Sequence, residues 1–139
     1  MDSSVITLAI AVFIVGAFVF LAIILTGKKP YTFNKLDYQA DFLRIENGLV
    51  RDNPMSYDIS LVNADKLLDK ALSEMGTPGR TMGDRLKKSG DKFTSLNSVW
   101  YVHKLRNQIA HESGFHVEYK QARHALEVYK QALQDLGAI

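Results

Sequence analysis

The sequence predicts an all-α chain: a single N-terminal transmembrane helix, then an antiparallel bundle of four longer helices and one short one. Three observations predict it. Val5 to Leu25 is apolar except for Thr7 and Gly16. Downstream, apolar residues recur at spacings of three and four between turn signals. No stretch alternates apolar and polar residues over strand length, and there is neither an internal repeat nor a low-complexity tract. At 139 residues the chain can form one domain of modest core plus an appendage. Helices joined by short loops pack as neighbours, so a single core is expected.

Composition narrows the chemistry. The absence of cysteine excludes disulfides, thiolate metal sites, cysteine nucleophiles and lipoprotein anchors. A net charge of +2 selects no partner class, but the charge is unevenly placed: only Asp2 precedes Lys28.

The apolar run of 21 residues, at about 1.5 Å each, covers roughly the 30 Å of a bilayer core. A secretory signal has a shorter apolar run, a positive start and a small-residue cleavage site. Here the start is acidic and Leu25-Thr26-Gly27-Lys28-Lys29 offers no such site, so residues 1–27 are expected to be an uncleaved membrane anchor, crossing through residues 5–26. A buried core helix is the rival, and it lacks a polar face. Lys28, Lys29 and Lys35 follow the span, which puts the amino terminus outside and the C-terminal domain in the cytoplasm. No GxxxG pattern marks a helix-pairing face within it.

Residues 28–33, with Pro30, read as a linker, and residues 34–139 as the bundle. From Asn34 to about Asn47, Leu36, Ala40 and Leu43 recur at helical spacing, flanked by Tyr38, Phe42 and Ile45. Gly48 and Asp52-Asn53-Pro54 interrupt, and proline suits the first turn of the next helix. Along that helix run Leu61, Ala64, Leu68, Leu72 and Met75, up to a turn at Gly76-Thr77-Pro78-Gly79. Thr81 to Asp84 has the form of a capping box that opens a short helix through Lys88. Ser95 can cap the next helix and Gly114 can end it. The last helix, Glu118 to Leu136, carries Tyr119, Ala122, Leu126, Tyr129, Leu133 and Leu136 in a regular three-four pattern.

The helix from Leu96 to Glu112 has three faces at 3.6 residues per turn. Val102, Leu105 and Ile109, with Tyr101 at the edge, form a buried stripe; Lys104, Gln108 and Glu112 form a solvent face. The third face holds Trp100, His103, Arg106, Asn107, Ala110 and His111. Aromatic, cationic and amide groups beside one small residue suit neither dry core nor free surface, and such a face meets a substrate or a protein partner.

The pattern Arg106-Asn107-x-x-x-His111 resembles the signature of the HEPN family. Residues 63–72, a glycine turn and residues 81–86 look like that family's paired early helices; Leu105 to Glu112, a turn and a long final helix look like its end. The likeness spans roughly Asn34 to Gly137, and the membrane helix is outside the usual family pattern. It implies a metal-independent endoribonuclease with no cofactor, acting on RNA at the interface of a homodimer. Arg106 would then stabilise charge on the phosphate in the transition state. His111 would serve as general acid or base, since imidazoles exchange protons near neutral pH. Asn107, four residues before His111, would share its face. Arg106 and His111 are five residues apart, roughly 140° on a regular helix, so a distorted turn or a second subunit must bring them together.

Structural roles compete with each of these. His111 in the last turn gains from the helix dipole; Arg106 can pair with Glu112 or Glu118; Asn107 can bind a loop carbonyl. His103, one turn above Asn107, either extends the substrate site or packs as an interface histidine. Trp100 beside Tyr101 can stack a base or fill the core. Arg85 and Lys88, in a cluster with Arg80, Lys87 and Lys92, can hold a phosphate backbone or form a solvated face. No histidine-carboxylate spacing makes a metal site, and no glycine-rich phosphate loop or nucleophile elbow is present.

Overall fold

The computed structural model describes residues 2–27 and 30–139. Contacts divide the chain into two compact units, Met1–Tyr31 and Thr32–Ile139. Every secondary-structure element among the described residues is helical.

The first unit is helix α1, Ser3–Thr26. It buries none of its residues and is long and apolar enough to cross a membrane, a test that a signal sequence also passes. The Thr7 and Thr26 hydroxyls donate to the Ser3 and Ala22 carbonyls at 2.8 and 2.6 Å, so neither needs water. Lys28 and Lys29, which open the expected linker and carry the expected charge signal, lie outside the described residues.

The second unit comprises α2 (Lys35–Gly48), α3 (Pro54–Glu74), α4 (Met82–Lys88), a 3-10 turn (Gly90–Lys92), α5 (Leu96–His111) and α6 (Tyr119–Asp135). Helix α3 is the hub, packing on α2, α4, α5 and α6. Of its expected stripe, Leu61, Ala64, Leu68 and Leu72 are wholly inaccessible, in one core with Val102 of α5 and Tyr129 and Leu133 of α6, while Met75 at its end is half-buried. Pro54 sits in the first turn of α3, as its fixed φ and missing N–H favour. The Thr81-Asp84 box forms, with the Asp84 N–H donating to Thr81 Oγ1 at 3.2 Å and the Thr81 N–H donating back at 3.3 Å. Those bonds to Thr81, with another from the Arg80 N–H, hold the Asp84 carboxyl below its ordinary range. Ser95 does not cap α5; its hydroxyl is bonded to Ser98 instead. The carboxylate of Asp135 ties down the start of α5, accepting from the Thr94 N–H at 2.7 Å and its hydroxyl at 2.9 Å.

Helix α2 departs from expectation. Leu36, Ala40 and Leu43 face solvent, with Leu36 77% and Leu43 55% exposed. The flanking residues Tyr38 and Phe42 form the buried face. Aromatic side chains remove more area from water than leucine and alanine do, so the aromatic face wins the core. Tyr38 also keeps its polar end satisfied, donating to Glu74 at 2.8 Å, while the Phe33 ring packs edge-on against it at 5.3 Å. The compact unit thus takes in Phe33, the last residue of the expected linker.

Candidate functional site

The third face of α5 lines an open groove of about 660 Å³. Trp100, His103, Arg106, Asn107 and His111 form one wall. Asp65, Lys66 and Asp69 of α3 form a second, and residues 81–84 with Lys87 close it from α4. Arg85 and Lys88 are not among the lining residues. Arg85 instead donates from Nη1 to Asp69 at 2.8 Å, with its side chain 15% exposed. Lys66 and Lys87 also line the groove, and neither makes a close ion pair among the described residues. Ala110, on the same helical arc, stays outside the lining.

The floor of the groove is a buried hydrogen-bond network centred on Asp65, which lies within residues 63–72 and was not among the expected site residues. Asp65 Oδ1 accepts from His103 Nδ1–H at 2.8 Å and from the Tyr129 hydroxyl at 2.9 Å. Arg106 Nε lies 3.5 Å from Asp65 Oδ2, an ion-pair contact without hydrogen-bond geometry. Arg106 Nη1 donates to Asn107 Oδ1 at 3.2 Å, and Asn107 Nδ2 lies 3.3 Å from His103 Nε2. Arg106 therefore pairs with Asp65, neither with Glu112 nor with Glu118. His103, 7% exposed, is packed within the bundle, with one edge lining the groove. Burial, and then the negative charge of Asp65, pushes the Tyr129 hydroxyl well above its ordinary range.

The sequence did carry a signal for Asp65. It follows Ala64 and lies four residues after Leu61 and three before Leu68, so a carboxylate falls on the core-facing arc of α3. A charge there must find partners or be neutralised. Which partners it finds depends on helices 38 and 64 residues away along the chain.

Above this floor the groove is open. His111 is exposed in the last turn of α5 and makes no hydrogen bond or ion pair among the described residues. The Nη2 group of Arg106 takes no acceptor among the described residues either, so it can donate to a ligand. Arg106 and His111 face the same cavity without touching. The Trp100 ring lies over Gly83, where a side-chain carbon would sit 3.7 Å from Cη2, and meets His103 edge-on at 5.9 Å.

A second histidine-carboxylate pair lies outside the groove. His116 Nδ1 donates to Asp58 Oδ2 at 2.6 Å, and the Val117 N–H donates to Oδ1 of the same carboxylate at 3.0 Å. Among the described residues, no three histidine or carboxylate side chains are grouped to hold a metal. No protein-family model, curated protein or solved structure matches the chain.

Proposed function

We propose that the chain is a membrane-anchored, HEPN-like antiparallel helical domain that binds RNA and cleaves it without a metal, at a site completed by a second copy. One observation carries this reading: Arg106 and His111 open onto a single groove that also holds the cations Lys66 and Lys87. A phosphodiester entering it would meet the free Nη2 donor of Arg106. Cleavage moves the 2′-hydroxyl proton to a base, forms a bond from that oxygen to phosphorus, and expels the 5′-oxygen with a proton from an acid. Arg106 would stabilise the added charge on the phosphate. His111, exposed and unpaired, would be one of the two proton-transfer groups. A homodimer would bring the second imidazole. The bundle would be cytoplasmic, as lysines after the span and an acidic residue before it favour.

The test uses the full chain in detergent micelles, with RNA and excess chelator. Wild type should cut, and His111→Ala should lower the rate by about 10²–10⁴-fold with unchanged thermal unfolding. An inert wild type, or a variant that cuts equally well, overturns the nuclease reading. A non-catalytic, membrane-tethered module that docks a protein partner is the second reading. The exposed apolar face of Leu36 and Leu43 favours it.

A further inference from the structure

We propose that Asp65 and His103 are positioning residues for Arg106, and that a proton on His103 releases Arg106 from its place in the groove. The consequence for RNA rests on the nuclease reading; the relay itself does not.

The two ends of the hydrogen-bond chain have fixed polarity. A guanidinium only donates and a carboxylate only accepts. Because Arg106 Nη1 donates to Asn107, the asparagine must turn its carbonyl oxygen toward the arginine. Its NH2 group then faces His103 Nε2, which must accept. At the other end Asp65 accepts, so His103 Nδ1 carries the hydrogen. Every link therefore agrees with one state of His103: neutral, protonated on Nδ1 alone. Nothing in this chain is free to reverse while both ends stay in place.

Protonation of His103 breaks that agreement at one link. Nε2 gains a hydrogen and points it at the asparagine NH2, so two donors face each other. The amide relieves this by turning over and offering its oxygen to His103. Its NH2 group then faces the guanidinium, and the hydrogen bond to Arg106 Nη1 is lost. The charge balance changes in the same direction. Arg106 is the cation beside Asp65 Oδ2, and an imidazolium at 2.8 Å from Oδ1 would replace it as counter-charge. Both effects free the guanidinium. The groups facing His103 are Asp65 of α3, Asn107 and Arg106 of α5 and, through Asp65, Tyr129 of α6. The groove around it adds Lys66, Asp69, Asp84, Lys87 and His111.

The molecule supplies its own probe. Trp100 is the single tryptophan, and its ring lies 5.9 Å from that of His103. The experiment is a titration of the ¹⁵N-labelled full chain in detergent micelles between about pH 5 and 8. Trp100 fluorescence and the side-chain nitrogen signals of His103, Asn107 and Arg106 are followed together. The expected result is one midpoint shared by all four signals, with binding of a single-stranded RNA oligonucleotide weakening several-fold beyond what the same acidification does to His103→Gln. That variant keeps an acceptor toward Asn107 and cannot titrate, so its Arg106 signal should stay level. Asn107→Asp, whose carboxylate accepts from both neighbours, should let His103 titrate while Arg106 stays put.

A His103 that remains neutral down to about pH 5 overturns the proposal. So does an Arg106 signal that ignores the His103 midpoint, or one that shifts equally in His103→Gln. The wild-type signals decide even if a variant fails to fold. An absence of RNA binding at every pH sinks the nuclease reading and leaves the relay to be judged by the nitrogen signals.

Discussion

Asp58 and Asp65 stand seven residues apart on α3, and each accepts a hydrogen bond from Nδ1 of a histidine. The Asp58 pair is the shorter, 2.6 Å against 2.8 Å. Distance alone would rank it the stronger. Burial of the histidine reverses the order: the His116 side chain is 69% exposed and that of Asp58 11%, whereas those of His103 and Asp65 are 8% and 4% exposed. Water competes for the hydrogen bond that His116 makes and weakens it. The Asp65 side chain is only 4% exposed, so a missing partner leaves a polar group unpaired where little water reaches it. The two carboxylates thus do different work. Asp58 pins the entry to α6 through the Val117 N–H, and Asp65 holds three side chains from two other helices in register.

The largest expected effect is at the buried site. Asp65→Ala orphans the Tyr129 hydroxyl and His103 Nδ1–H and leaves Arg106 without its counter-charge, for a loss of about 3–5 kcal/mol by denaturant unfolding. A loss no greater than that of Asp58→Ala would mean that burial does not separate the two pairs. Asp58→Ala should cost about 1–3 kcal/mol, since the Val117 N–H loses its acceptor. Tyr129→Phe should lose about 1 kcal/mol at neutral pH. It also tests a pH dependence. The folded state raises the Tyr129 hydroxyl above its value in the unfolded chain, so the folded protein holds that proton more tightly. The resulting stabilisation is fully present below about pH 10 and fades as pH rises toward the folded value. Wild type should therefore lose more stability above about pH 10 than Tyr129→Phe does; parallel alkaline curves would contradict this. The smallest effect is His116→Ala, expected within about 0–1 kcal/mol. A larger loss would mean that His116 is coupled to more than the loop it holds.

Much of the helical order was legible from local rules. Pro54 marks the start of α3, Thr81 and Asp84 open α4, and the α3 and α6 stripes occupy the core as their spacing requires. The grouping of Trp100, His103, Arg106, Asn107 and His111 on one arc of α5 was legible too, because 3.6 residues per turn is a property of the backbone. Arg85 and Lys88 were not placed by such a rule. Their positions depend on how α4 meets α3, where Asp69 captures Arg85.

The sequence by itself determined which residues share a helix, which of them share a face, and that one N-terminal helix is apolar along its length. Only the tertiary structure decided which of two apolar faces of α2 would be buried, and that Asp65 would meet His103, Arg106 and Tyr129 at one point. The reason is one of range. Helical periodicity relates residues within a few turns of each other, whereas burial and long-range hydrogen bonding are settled by whichever surfaces of separate helices fit together.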